Sequence, residues 1–402
     1  MGGKWLKTTV GEFCPLTYGK NLPEKRRKQG TYQVYGSNGP VGFHNKPLVK
    51  GEGIVIGRKG TVGAIHYVAL PFWSIDTTFY VTNSEDRDLR FTYYLLESLG
   101  LEHMNTDSAV PGLNRDAAHA RKILVPGLYE QRAIAHILGS LDDKIELNRQ
   151  MAQTLESIAR AIFKSWFVDF DPVKAKMEGK QPEGMSEEVA ALFPDKFVES
   201  KLGMIPEGWA SGKFSDISEN IRINIRKDAI NPNDCYIGLE HIPRKSLFLN
   251  NWGIGADVTS NKHRFLRYDL LFGKLRPYFH KIIIAPFNGI CSTDILVIRS
   301  LEPHWYSLMT LGLSQESVVD NVTNQSEGTR MPRTNWNQVG SQPIVIPSKK
   351  VAIAFDALIL PMLQRVVEMA HENRHLSELR DTQLPRLISG KIRVNQPEDA
   401  AA

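Results

Sequence analysis

Along residues 137–170 the seam positions recur in alternating steps of three and four. They are Leu138, Leu141, Ile145, Asn148, Ala152, Leu155, Ala159, Ile162 and Trp166. No Gly or Pro interrupts the chain between Ser140 and Asp171. Propensity and period therefore agree on one long helix. From Leu138 to Val168 it is roughly 45 Å long at about 1.5 Å per residue.

The flanking pattern is different. Residues 31–126 read as mixed α/β with short strands at 54–56, 61–65 and 79–81. Gly-rich turns at 36–39, 51–53 and 57–60 separate them. A short helix is expected over 91–99, and a strand over 122–125 is closed by Pro126. Residues 171–207 hold Pro172, Pro182, Pro194 and Pro206 among many charges, the composition of a linker. A second globular segment follows over 208–347, with strands at 270–272, 281–285 and 295–298. A second helical region runs from Lys349 to Leu387 and stops at Gly390. The expected domains are 1–127, a helix over 128–170, a linker over 171–207, 208–347, a second helix over 348–392 and a disordered tail over 393–402.

The two halves repeat. Gly57-Arg58-Lys59-Gly60 matches Gly273-Lys274-Leu275-Arg276, and Ser74-Ile75-Asp76-Thr77 matches Ser292-Thr293-Asp294. Pro111 and Pro332, Asn114 and Asn335, Ile123 and Ile344, and Pro126 and Pro347 all lie 221 residues apart. The same offset carries Leu138, Leu141, Ile145, Leu155 and Trp166 onto Ile359, Met362, Val366, Leu376 and Leu387. Trp5 echoes Trp209. Pro361 and Pro385 lie within the second helix, and Arg380 and Gln383 on its seam. A distorted start and an early finish are expected there.

Two such helices can bury their seams against each other. A two-fold relation between the repeats makes the helices antiparallel and sets the globular units at opposite ends, a dumbbell of fixed separation. DNA half-sites one turn apart lie about 34–36 Å centre to centre, a span such a rod matches. Because the two units differ in sequence, the expected target is an asymmetric bipartite site. The expected fold class is mixed α+β: two globular recognition domains joined by two long antiparallel helices in a coiled-coil spacer.

LESIARAIFKSWFVDFDPVKAKMEGK (155–180), GMSEEVAALFPDKF and the run from Gly203 to Trp209 resemble the specificity subunit of type I restriction-modification enzymes. So do VYGSNGPVG, GRKGTVG, SAVPGLNR, FGKLRPY, STDILVIRS and LPRLISGKI. The resemblance covers nearly the whole chain. It implies two target recognition domains and two helical spacers. It also implies assembly with two methyltransferase subunits and with motor-nuclease subunits, the chain itself being non-catalytic. A second face of the first helix is expected to dock the methyltransferase subunits, with Leu147, Met151, Ile158 and Phe163 as candidates.

Composition narrows the picture modestly. The 402 residues suit two or three domains, and 42% hydrophobic with 9% aromatic content is globular. Three cysteines, an odd number spread far apart, fit a reduced compartment without a disulfide framework. No apolar run reaches membrane-spanning length and no signal-peptide core opens the sequence, so a cytoplasmic chain without a membrane is expected. The net charge of +5 favours nucleic acid only weakly.

A search for catalysis finds little. Gly390-Lys391 is followed by Ile392, so no Walker A pattern is present. Asn231-Pro232-Asn233 lacks the second proline and the aromatic of an amino-methyltransferase motif. Asp195 and Glu199 lie too close in sequence to form a nuclease metal site, and the histidines show no HxH or HExxH spacing. No catalytic residue, metal or cofactor is expected, which argues for a binding module. The competing readings are a stand-alone DNA methyltransferase or nuclease, and a coiled-coil scaffold without a DNA role.

Candidate contacts to double-stranded DNA come from Gly-bearing loops rich in donors. In the first half they are Ser37, Asn38, Arg58, Lys59, Thr61, Ser108, Asn114 and Arg115. In the second they are Lys274, Arg276, Tyr278, Thr329, Arg330, Arg333, Thr334 and Asn335. The bland alternative makes the 36–39 and 57–60 loops plain turns, and lets Asn114 and Asn335 bond their own backbone. The basic run Lys25–Lys28 is either a solvated loop or a phosphate contact.

Overall fold

The computed structural model describes residues 5–104, 112–328 and 330–394. The chain divides into two units, Met1–Lys144 with Leu376–Ala402, and Ile145–His375.

In the first unit, strand Leu6–Thr9 pairs antiparallel with Lys122–Val125. Between them lies a four-stranded sheet in the order Thr17–Tyr18, Thr78–Thr82, Gly53–Gly57, Ile65–Val68. A three-stranded sheet has the order Gly39–His44, Tyr32–Gly36, Phe72–Ser74. Strand Gly53–Gly57 is buried along its whole length, so it reads as a continuous apolar run. Its side chains alternate between two cores. Ile54 and Ile56 meet Phe79, Phe91 and Leu95, while Val55 joins Tyr35, Val49 and Phe72. Helix Leu89–Glu97 belongs to the first of these cores, and Asp88 caps it by accepting from the Phe91 N–H at 2.8 Å.

The strand expected over 61–65 is instead a tight return. The Gly63 N–H donates to the Gly57 carbonyl at 2.8 Å, and the strand begins only at Ile65. Gly60 and Gly63 both have positive φ, and a Cβ on Gly63 would lie 2.2 Å from the Glu102 nitrogen. Only glycine fits so close an approach.

The second unit repeats the frame of this plan. Strand Ala210–Lys213 pairs with Pro343–Ile346. Its four-stranded sheet has the order Ser218–Ile221, Ile295–Ser300, Leu270–Gly273, Ile282–Ile284. Here the smaller sheet has grown to five strands, Ile223–Ile225, Lys262–Phe265, Gly289–Cys291, Cys235–Ile237 and Gly253–Ile254. Val10 donates to the Arg121 carbonyl at 3.0 Å, and Phe214 to that of Gln342 at 3.2 Å. Glu12 accepts from the Thr9 N–H, and Asp216 from that of Lys213. Asn114 caps helix Arg115–His119, and Asn335 caps Trp336–Gly340. The offset is 204 at the start of each unit and 221 from residue 112 onward. Longer loops in the second unit account for the drift.

The two long helices are Leu128–Phe167 and Lys349–Ile388, each of 40 residues. They start and end 221 residues apart. The distortion expected at Pro361 does not occur, nor does the early finish at Pro385. Pro361 and the Ala357 carbonyl it deprives of a partner are both on the exposed side, where water can replace the lost bond. Ile359, Leu363 and Val366 are buried beside it and hold the backbone helical. The helix ends on Gly390 at φ +72°.

Within each unit the helices run antiparallel. In the first, Asp142 pairs with Arg380 at 2.7 Å, and Leu138 shares a core with Leu387. In the second, Asn148 meets Asn373, Ala152 clusters with Val366, Met369 and Ala370, and Phe163 faces Phe355. Of the expected seam, Leu138, Ile145, Trp166, Ile359, Val366 and Leu387 are buried, while Leu141, Leu155, Ile162, Met362 and Leu376 are half-buried. Glu156 and Phe163 are buried as well, because the helix packs on its unit's globular part in addition to its partner helix. Phe163 is therefore core rather than a free second face. Residues 171–207 hold helix Asp171–Met177, helix Glu187–Ala190 and the hairpin Phe197–Ser200 with Gly203–Pro206. Among the described residues, no helix is long and apolar enough to cross a membrane.

Candidate nucleic-acid interface

In each unit the loop after the central strand is stitched to the segment that precedes the capped short helix. The Leu113 N–H donates to the Arg58 carbonyl at 2.8 Å, and the Thr334 N–H to that of Lys274 at 3.0 Å. The Arg58 N–H donates to Thr77, and that of Lys274 to Asp294. Thr77 is thus the structural counterpart of Asp294, one residue past the match of Asp76 to Asp294 suggested by letters alone.

In the first unit this stitching gathers residues 37–38, 58–61 and 112–115. A Cβ on Gly57 would lie 2.1 Å from the Thr61 carbonyl oxygen and 3.1 Å from that of Ser37. Arg58 hydrogen-bonds the Asp76 carbonyl at 2.7 and 3.2 Å and lies over the Tyr18 ring, 5.4 Å from its centroid. Arg115 lies over the same ring at 4.9 Å. Its Nε is buried without a hydrogen-bond partner. Asn38, Lys59 and Thr61 are exposed.

In the second unit a cavity of about 400 Å³ opens between Arg222, Asn224, His263, Lys274, Arg333 and Trp336. Asn224 and His263 are cross-strand neighbours. Arg333 pairs with Asp294 at 2.9 Å. Burial holds the Lys274 ammonium below the ordinary lysine range; the nearby Asp294 carboxylate partly offsets this, and Arg333 and Arg222 add to it. Burial likewise lowers His263, helped by Lys274 and Arg222. The His263 Nδ1 has no hydrogen-bond partner. The cavity is therefore rich in donors and poor in acceptors, fitted to a ligand that presents oxygens or ring nitrogens.

The family described as type I restriction modification DNA specificity domain matches residues 3–157. The chain is 26% identical over 331 residues to the type I restriction enzyme HindI specificity subunit of Haemophilus influenzae, covering 70% of this chain and 71% of that protein. It is 24% identical over 424 residues to the MjaIX specificity subunit of Methanocaldococcus jannaschii, covering 98% and 91%. The chain is thus similar to type I specificity subunits, by a family match over residues 3–157 and by relatives along most of its length. In fold it is similar to the crystal structure of the system's S subunit from M. genitalium, with TM-score 0.61, 14% identity and 96% of each chain covered.

Not every residue expected to touch DNA is free to do so. The Ser37 hydroxyl is buried and donates to the Thr77 carbonyl at 2.7 Å. Thr334 is buried, its hydroxyl on Gln338. Asn114 accepts from the Asp116 and Ala117 N–H groups, and Asn335 from that of Gln338. These four are structural by geometry: the short helices and stitched loops need their oxygens. Arg276 takes positive φ and lies over the Phe279 ring, and the exposed Tyr278 packs edge-on against that ring. Arg330 is exposed. Ser108 and Thr329 lie outside the described residues.

Sequence reasoning missed Tyr18, Arg222, Asn224, His263 and Trp336. The signal for some was present. The 204-residue offset of Trp5 and Trp209 carries Tyr18 onto Arg222, and the 221 offset carries Arg115 onto Trp336.

Proposed function

We propose that the chain is the non-catalytic, DNA-reading subunit of a type I restriction-modification enzyme. It directs methylation and restriction carried out by methyltransferase and motor-nuclease subunits to an asymmetric bipartite site. Residues 1–127 read one half-site and residues 208–347 the other. The paired helices, over 128–170 and 348–392, act as the spacer between them.

One observation carries this reading. In a chain similar to type I specificity subunits, the same stitched, cation-bearing loop is built twice, around Arg58 and around Lys274, with different side chains at equivalent positions. Two unlike copies of one reader suit two unlike half-sites. Leu147, Met151 and Ile158 are 51%, 36% and 41% exposed on one face of the first long helix. That stripe supports docking of methyltransferase subunits there.

The test is exchange of residues 1–127 for those of a relative, followed by methylome sequencing of cells expressing the complex. One half-site is expected to change while the other stays. A change in both, or no bipartite methylation by the parent complex, overturns the reading. For the spacer, a heptad must be inserted in both helices, near Gln150 and near His371, because the two are paired in antiparallel register. Each heptad adds about 10 Å at ~1.5 Å per residue, so the gap is expected to widen by roughly three base pairs.

A further inference from the structure

Three positions recur in both units and carry the same chemical groups in a different order. The first is Tyr18 and, 204 residues on, Arg222. Strand register supports this pairing: Thr17 lies opposite Tyr80 as Ile221 lies opposite Val297. The second is Arg58 and Lys274, fixed by the matching hydrogen bonds from Leu113 and Thr334. The third is Arg115 and Trp336, each directly after the capping asparagine. Each triad holds two cations and one aromatic ring. In the first unit the ring stands first and both guanidiniums lie over it. In the second the ring stands third, and Arg222, Lys274 and Trp336 line one cavity of about 400 Å³.

We propose that these triads determine specificity, and that the exchanged places of ring and cation are a reason the two units read different half-sites. This rests on the DNA-reading function proposed above. The chemistry is that of base edges in the major groove. An Arg or Lys donates to the N7 and O6 of guanine, and an aromatic ring packs on the methyl of thymine. Moving the ring from one end of the triad to the other moves the apolar contact and leaves the donors at different bases. Two unsatisfied polar atoms support an incoming polar ligand: Arg115 Nε, a donor whose ion-pair contact is Asp116 at 3.7 Å, and His263 Nδ1, which donates or accepts according to its tautomer, are buried without hydrogen-bond partners. The Asp294 carboxylate beside the second triad is already paired with Arg333. Asn224 and His263, side by side across two strands, add amide and imidazole groups to the second reader.

The experiment uses the full chain assembled with its methyltransferase subunits, with duplex DNA and S-adenosylmethionine as probes. In one variant Arg222→Tyr is combined with Trp336→Arg, giving the second unit the first unit's order. Tyr18→Arg with Arg115→Trp does the reverse. Each is expected to change its own half-site only, lowering methylation of the parental sequence by roughly 5- to 150-fold, the range for one base contact. The untouched half-site reports that the variant is folded. If an exchange variant fails to assemble, Lys274→Met and Trp336→Phe decide. The former is expected to relax one position of its half-site, and the latter, which keeps a ring, to retain the motif. An unchanged motif in the exchange variants and in Lys274→Met overturns the proposal. So does a uniform loss on all sequences with a shallower salt dependence, which marks phosphate contact alone. A parent complex that methylates no bipartite site instead overturns the function on which the proposal rests.

Discussion

Asn148 donates its side-chain amide to the Asn373 side-chain oxygen at 2.9 Å, and the Asn373 amide continues to the Ile145 carbonyl at 3.2 Å. Both side chains are buried between the two long helices of the second unit. Such a pair is satisfied only when these two residues face each other, so it fixes helix register more than it adds stability.

Removing one member should therefore cost more than removing both. Asn373→Ala strands the Asn148 amide and is expected to destabilise the protein by about 1–3 kcal/mol. Asn148→Ala should cost less, since its own side-chain oxygen is already without a hydrogen-bond partner. Replacing both with leucine should be near neutral or stabilising. Urea unfolding of the four proteins checks the order. Equal losses in all three variants would show that the pair has no coupled role.

Glu156 is buried in the same helix and accepts from the Leu247 N–H at 3.0 and 3.1 Å and from the Ser246 hydroxyl at 3.0 Å. Burial raises its carboxyl above the ordinary value of 4.5, with the Leu247 and Ser246 hydrogen bonds and Arg160 opposing. A raised folded-state value means that protonation favours the folded form. The contribution is full below 4.5 and is lost as pH rises through the raised value. Glu156→Gln lacks this dependence. Wild type should gain stability relative to the variant as pH falls from 7 toward 4.5; a constant difference in melting temperature would refute the assignment.

Glu130 behaves in the opposite sense. Burial would raise it, but hydrogen bonds from Arg393, Trp5 and the Val394 N–H outweigh that and hold it below 4.5. Its contribution is present above 4.5 and disappears as pH falls through the depressed value. Arg393→Met should lower the melting temperature at pH 7, with the gap to wild type closing under acid. The contact also holds Arg393 and Val394, two residues expected to begin a disordered tail, against the first unit.

The three cysteines should differ in reactivity. Burial pushes the Cys14 and Cys291 thiols up to about 12; burial also raises the thiol of Cys235, opposed by Trp252, but Cys235 is only half-buried and so the most accessible of the three. Native protein at pH 8 should show one accessible thiol by Ellman titration and three after denaturation. Cys235→Ser should abolish the native signal.

The sequence by itself determined the helices and the repeat. A seam of three and four steps is a local property of the backbone, so both helices were legible, and their starts and ends fall on the predicted 221-residue offset. Buried strands such as Gly53–Gly57 and Leu270–Gly273 showed as apolar runs for the same local reason. Tertiary structure decided what local rules could not. Pro361 stays helical because its neighbours are packed on one side and its missing bond faces the other. Asn114 and Asn335 cap helices because the stitched loops aim them there. Tyr18 joins Arg58 and Arg115 only when strands far apart in sequence are brought together. A side chain's freedom to reach a ligand depends on what its neighbours already require of it, and those neighbours are non-local.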